Sequence, residues 1–473
     1  MKKKKAVREE RSVGALLAPD ILEVLKVSPA AVQTETEELH PADLADVVEL
    51  IPRKRISALI AALPAERAAA VLEYVNEKLR NELLEELTTA QAATVVAQMT
   101  PDDRADVLED LPEERAGEIL EAIPAEMRRE TQELLAYDPE TAGGLMTTQI
   151  VSVLGTDTAE AAFAQVRAIA RSGRREAMNI VYVTNAARRL IGVLSLRELL
   201  AAPDGAPISE VMRTEVQTVL PTSHREDVAR IISEYDIVAL PVVSEQGALL
   251  GMVTVDDVID VIQQEQTEDA QKFGGLEALD APYLQSPFFD LLRKRAGWLG
   301  LLFLGEMLTA TALQYFQHEL EAEVMLAMFL PLIISSGGNS GSQATSLIIR
   351  SLALREMTLK DWWRVAAREL PAGIALGTFL GLIGVLRITV WQMAGLANYG
   401  PHHYLVAVTV GVSLIGVVTF GSMMGAMLPF ALRRLGFDPA SASAPLVATL
   451  VDVTGLIIYF VVAALILLPH VPK

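Results

Sequence analysis

The chain contains no cysteine among its 473 residues. Disulfides and thiolate metal sites are therefore excluded. Histidine is scarce too, with six copies. No nucleophile–base pair or His-rich metal site stands out, so an enzyme is not expected. No P-loop pattern is present, and ATP hydrolysis is not expected either. Basic residues are in deficit: 40 Lys and Arg against 60 Asp and Glu give a formal charge of −20. So negative a field disfavours nucleic acid and favours cations. The N-terminus, Met1-Lys2-Lys3-Lys4-Lys5, runs into Arg8-Glu9-Glu10-Arg11 with no long apolar stretch behind it. A cleaved signal peptide is not expected, and the first part of the chain should stay in the cytoplasm.

What is present falls into three blocks, as the length prior of about three domains suggests. Residues 296–473 hold nine acidic and nine basic residues and net to zero, so the whole −20 lies in residues 1–295. The first block, about 20–137, has almost no glycine. Pro41, Pro52 and Pro64 are spaced 11 and 12 apart, and Pro101, Pro112 and Pro124 repeat that spacing 60 residues later. Proline suits the first turn of a helix and ends the one before. The spacing predicts a stack of short helices, a small α-superhelix.

The second block, about 138–266, carries strand-like runs at Met178–Thr184 and Val238–Ser244. Ile191–Leu200 and Leu250–Ile259 are two copies of one strand–turn–helix pattern, 59 residues apart. This duplicated α/β arrangement resembles a tandem pair of CBS domains. The resemblance implies a compact regulatory unit that binds adenine nucleotides, such as ATP, or ions.

The third block follows Arg293-Lys294-Arg295. Five apolar segments, near 297–317, 324–349, 367–396, 404–432 and 441–469, each reach the ~20 residues needed to cross a bilayer. The loop 350–368 carries Arg350, Arg355, Lys360, Arg364 and Arg368, and the loop after the fourth segment carries Arg433 and Arg434. Glu319, Glu321 and Glu323 lie in the first loop. With the N-terminus inside, every basic loop is cytoplasmic, and five spans place Lys473 outside. Arg387, towards the outer end of the third span, is expected to snorkel.

Several motifs point to cations. Pro331-Leu-Ile-Ile-Ser-Ser-Gly-Gly-Asn-Ser-Gly-Ser-Gln343 means either tight helix packing or a water-lined path; Asn339 and Gln343 favour the path. Asp452, within the fifth span, is costly there unless it faces a cavity or a cation. Two copies facing one another across a two-fold axis would match one divalent ion, held through its water shell. Glu306 either lines the same path or sits near the interface. Asp438 before Pro439 reads first as the N-cap of the fifth helix, with a role at the cytoplasmic mouth as the alternative. In the stretch 255–269, Asp257 and Asp260 share a helix face, as do Glu265, Glu268 and Asp269. Lys272 is the first basic residue after Arg230. Hard oxygen ligands without basic partners suit Mg²⁺ or Ca²⁺. Asp102 and Asp106 are one turn apart, where an ordinary acidic first turn is the plain alternative.

An acidic helical domain, paired CBS domains and spans carrying Gly-Gly-Asn-x-Gly-x-Gln and Asp-x-x-Gly together resemble the MgtE family of magnesium channels. Tyr137–Met146 and Gly425-Ala-Met-Leu-Pro-Phe430 agree. The resemblance implies a multidomain membrane protein: residues 1–137 the superhelical N-domain, 138–203 and 204–266 the CBS domains, 267–295 a connecting helix and 296–473 a five-helix transmembrane domain. It implies an inner-membrane homodimer with its pore on the dimer axis and Asp452 as the pore carboxylate. It implies that Asp102, Asp106, Glu226, Asp236, Asp257, Asp260, Glu265, Glu268 and Asp269 sense cytoplasmic Mg²⁺, whose binding closes the pore. Two departures stand out: His224 occupies an expected carboxylate position, and Ala444 replaces a polar residue near the pore. Rival readings are a CBS-regulated transporter of another ion and a nucleotide-sensing membrane scaffold.

Overall fold

The computed structural model describes residues 13–171, 179–279, 283, 286–322 and 324–470. The basic run Met1–Lys5, Met178, Glu323 and Lys473 lie outside the described residues. The chain divides into two compact units, Met1–Ile262 and Gln263–Lys473.

The first unit opens with short helices running from Val13–Val27 to Ala125–Leu134. Their punctuation follows from proline. Pro41 and Pro101 sit in the first turn of their helices, while Pro52, Pro64, Pro112 and Pro124 are N-caps. A residue before proline is pushed out of the α region. Ile51, Leu63 and Ile123 are accordingly extended, with ψ of 159°, 151° and 160°. Each proline thus stops one helix and starts the next. Leu44, Val48, Leu59, Leu72, Leu84 and Ile119 fill the core between layers. Arginines bond carbonyls at and just beyond buried helix ends: Arg115 donates to the carbonyls of Leu84 (2.8 Å) and Leu87 (2.5 Å), and Arg67 donates to those of Thr36 and Leu39. These carbonyls have no intrahelical partner.

The rest of this unit is a duplication. Ile180–Thr184 pairs antiparallel with Leu190–Ser195, and Ala239–Val243 pairs antiparallel with Leu249–Thr254. Ile180↔Ser195 in one ladder corresponds to Ala239↔Thr254 in the other, 59 residues on, and both ladders shift register at the same place, Val183/Thr184 and Val242/Val243. Ser152–Leu154 adds a parallel strand to the first ladder, and Val219 bridges to Val242 in the same sense in the second. Tyr182, Ala239, Val243, Leu249 and Met252 join the two halves in one apolar cluster. Each last strand runs directly into a helix, Leu196–Ala201 or Val255–Phe273. The first is held by a capping box of Ser195 and Glu198.

The second unit is helical. Four of its helical stretches are long and apolar enough to cross a membrane: Phe288–Tyr315, Leu359–Met393, His403–Arg434 and Ala444–His470. The remaining expected span forms a helix, Met325–Ala353, of 29 residues. It falls short on apolarity because Ser335–Gln343 is small and polar. At 1.5 Å per residue its length of about 43 Å exceeds a bilayer core. Met325–Ala353 and His403–Arg434 approach backbone to backbone. A Cβ on Gly421 would collide with the Gly337 carbonyl, and one on Gly425 with that of Gly341. Ser340 and Ser422 share a hydrogen bond of 2.7 Å there, and Thr345 donates to the Gly425 carbonyl at 2.9 Å.

Two local expectations differ. Asp438 caps a short 3₁₀ turn, Pro439–Ser441, rather than the last helix; Ser443 caps that helix, accepting from Leu446 N, with Pro445 in its first turn. The three residues Pro439–Ser441 satisfy the Asp438 cap before the helix can begin. Residues 267–295 are not one helix either. Val255–Phe273 ends at Gly274-Gly275, where Gly275 has φ +75°, and the next helix starts at Phe288. Glycine, with no Cβ, takes that left-handed φ at no steric cost and is the usual residue at such a helix end. Arg387 is exposed, with its guanidinium 5.6 Å from the Trp391 ring centre.

Candidate cation sites

In the first unit, two helices that begin alike bring their first turns together. One reads Pro101-Asp102-Asp103 and the other Val255-Asp256-Asp257, each placing carboxylates at the positive end of its helix. Asp102 is 7% exposed, and its Oδ1 is buried without a hydrogen-bond partner. Burial, then the Asp103 charge, pushes Asp102 up to about 6. Burial, then Asp102, pushes Asp257 up to about 8, although Thr254 donates to it at 2.5 Å. Asp106 is exposed to solvent, yet partial desolvation by the surrounding protein and the charges of Asp102, Asp103 and Asp110 push it up to about 7. Desolvation raises Asp103 as well, with Asp256 and Asp260 adding to it. The Arg80 guanidinium lowers Asp103 and Asp106, and it pairs with Asp110 at 2.6 Å. The result is a pocket of excess negative charge that calls for a cation.

Asp102, Asp106, Asp257 and Asp260 are therefore brought together. Glu226 and Asp236 stand at the two ends of a third helix, Arg225–Tyr235. Glu226 lies in the first turn of Arg225–Tyr235, where His224 is the N-cap and its Nδ1 accepts from Glu226 N at 3.4 Å. Asp236 is the left-handed C-cap of the same helix, with φ 50°. His224 also lies 3.7 Å from Glu140. Asp103, Asp256 and Asp110 are participants that sequence reasoning missed. The shared Asp-Asp after each helix start was the available signal. Nothing in the sequence says that helices 150 residues apart meet.

In the second unit, Glu265, Glu268 and Asp269 are half-buried along Val255–Phe273. Asp452 is half-buried on Ala444–Ile466, within hydrogen-bond reach of Glu306 on Phe288–Tyr315. Two carboxyls this close need a cation or a shared proton between them. Gly305 packs on Thr449 at the same level, which lets the two helices approach. The Gly-rich motif resolves by face. Gly337, Gly338, Ser340 and Gly341 are buried against neighbouring helices, whereas Ser335, Asn339 and Gln343 form an exposed polar stripe at helical spacing. Asn339 Nδ2 donates to Ser335 Oγ at 3.4 Å. Among the described residues, no three His, Asp or Glu side chains converge tightly enough to hold an ion directly. A strongly hydrated cation held through water suits both sites.

Apolar helices of membrane-spanning length, carboxylates on them and an acidic first half with a duplicated α/β domain define a multidomain membrane transporter of cations. Residues 330–462 match the family model MgtE, divalent cation transporter; residues 39–140 match the MgtE intracellular N domain, and 142–205 and 208–264 match the CBS domain. The chain belongs to the MgtE family. A protein of Thermus thermophilus named magnesium transporter MgtE is 43% identical over 340 residues, 72% of this chain and 73% of that one. The protein of that name from Enterococcus faecalis is 34% identical over 337 residues, 71% of each chain. The crystal structure of the soluble part of a magnesium transporter is 30% identical, with a TM-score of 0.51, and covers 53% of this chain and 99% of its own.

Proposed function

We propose that this chain carries Mg²⁺ into the cell as a channel, and that cytoplasmic Mg²⁺ closes it. The observation that carries the reading is Asp452, half-buried on an apolar helix beside Glu306, in a chain whose curated relatives are named magnesium transporters. Five spans fit the reading, with Met325–Ala353 as the polar one that lines the path. Asn339, Gln343 and Glu306 are exposed on a single protomer. Polar groups facing lipid are costly, so a second copy or water should cover them, which supports a homodimer with its pore on the two-fold axis. The basic loops support a reading in which the N-terminus and CBS domains lie in the cytoplasm of an inner-membrane protein and the C-terminus outside.

The sensor is the group Asp102, Asp106, Asp257 and Asp260, joined by Glu226, Asp236, Glu265, Glu268 and Asp269. Mg²⁺ among these carboxylates favours a compact, closed state. At low Mg²⁺ the −20 half repels itself and the pore is released. Residues 1–137, 138–203, 204–266, 267–295 and 296–473 serve as N-domain, two CBS domains, connecting segment and pore. The membrane potential supplies ~2.3 kcal/mol per charge per 100 mV, doubled for a divalent ion. An adenine nucleotide such as ATP is the expected further ligand of the CBS pair.

Uptake of Mg²⁺ into proteoliposomes loaded with graded internal Mg²⁺ tests this. Uptake that falls as internal Mg²⁺ rises, and that Ca²⁺, Co²⁺ and Mn²⁺ compete with weakly, is expected. Uptake of another ion in preference would move the substrate. Tight nucleotide binding with no uptake would make the chain a scaffold.

A further inference from the structure

Val255–Phe273 ends beside the loop that starts the Asp452 helix. Lys272 Nζ lies 2.5 Å from Glu268 Oε1, one turn back on its own helix, and 2.6 Å from Asp438 Oδ2 on the loop. The three side chains are 28%, 31% and 37% exposed, so the ion pairs are half-buried and only partly shielded from solvent. Asp438 is fixed in turn, because its Oδ1 accepts from Ala440 N at 2.8 Å. Beyond Lys272 the chain continues to seat. Phe273 packs on the cluster of Ile349, Ala440 and Ala442. A Cβ on Gly275 would lie 2.8 Å from Trp298 Nε1 and 3.2 Å from Pro445. Trp298 Nε1 donates to Ser443 Oγ at 3.2 Å, and Ser443 caps the Asp452 helix.

Two carboxylates from separate elements thus close on one ammonium. That is the arrangement in which a divalent cation would bridge them, except that the cation is covalently part of the chain. A Lys ammonium is a compact point charge on a flexible stem and can fill such a place. One positive charge leaves the Glu268–Asp438 pair with an excess of one negative, so a divalent ion would balance it better.

We propose that Lys272 is a tethered cation standing in for a divalent ion between Glu268 and Asp438, so that this contact at the foot of the Asp452 helix forms without Mg²⁺. The inference deepens the gating reading and rests on it for its consequence, a pore whose foot is partly held even at low Mg²⁺. The contact itself does not depend on transport and is tested without it.

The absence of native cysteine allows a direct probe. Phe273→Cys and Ala442→Cys are combined in the full chain in liposomes, and the rate of cross-linking by a short bifunctional thiol reagent is measured in EDTA and in Mg²⁺. In EDTA, Lys272→Gln should slow cross-linking at least about threefold, the size expected of a partly shielded charge-assisted pair, and Lys272→Arg should not. Mg²⁺ should restore the rate in Lys272→Gln. In an Asp438→Asn background the rate should be slow, and Mg²⁺ should not rescue it. Equal rates in EDTA with Lys272 or Gln would overturn the proposal, as would slowing that Mg²⁺ fails to restore. Mg²⁺ uptake measured on the same liposomes separates this outcome from failure of the channel reading.

Discussion

At the scale of single residues, the account turns on carboxylates held where they do not want to be charged. Asp102 at about 6 and Asp257 at about 8 stand above the ordinary carboxylate range because burial penalises the anion. Their folded values exceed their unfolded ones. The contribution of these two carboxyls to the metal-free fold is therefore fully favourable below about pH 4 and is lost as pH climbs towards 8. A cation must displace those protons, so its affinity should rise over the same interval. Half-maximal Mg²⁺ for protecting the cytosolic half from protease should fall as pH goes from 6 to 8, and Asp257→Asn should flatten that dependence. Asp102→Asn removes a buried charge and should stabilise the metal-free protein by roughly 1–3 kcal/mol near pH 8, read as a higher unfolding midpoint in EDTA. It should also weaken the gain from Mg²⁺. Asp102 and Asp106 were legible as a pair one turn apart, yet the ordinary acidic first turn explained them equally well. What raises Asp102 above it is burial beside Asp257 of the Val255 helix, a contact between distant segments that spacing does not encode.

At the scale of elements, small residues decide where helices meet. Gly337 and Gly341 on one helix face Gly421 and Gly425 on another with no room for a side chain. Gly421→Val must push the helices apart and should cost about 1–3 kcal/mol or more, seen as a lower thermal midpoint of the detergent-solubilised protein. Gln343→Ala lies on the opposite, exposed face and should leave that midpoint unchanged while altering transport. Element boundaries in the first block were legible because proline acts locally, through the residue before it and the turn after it. The CBS duplication was legible because Ile191–Leu200 and Leu250–Ile259 repeat one pattern 59 residues apart, and the structure carries the repeat through to the register shift. The start of the last helix was misplaced by five residues, because two consecutive caps, Asp438 and Ser443, each satisfy the local rule. The break in 267–295 is a glycine C-cap: Gly275 takes a left-handed φ and Leu276 N returns to the Gln271 carbonyl at 3.3 Å, so Gly274-Gly275 was a local stop signal that the connecting-helix reading passed over.

At the scale of the whole molecule, one chain joins a neutral membrane half to a half of charge −20. That imbalance was plain in the sequence and needed no structure. Its consequence is collective: the acidic half should resist protease better in Mg²⁺ than in EDTA. Monovalent salt should reproduce only part of that gain, because it screens exposed charges but not buried ones. Equal cleavage with and without Mg²⁺ would remove the sensor from the account. The central claim is that Mg²⁺ moves past Asp452. Its most direct test is Mg²⁺ uptake into proteoliposomes under an imposed inside-negative potential, comparing the native chain with Asp452→Ala. The account predicts potential-driven uptake that the substitution abolishes; uptake of equal size in the variant would contradict it.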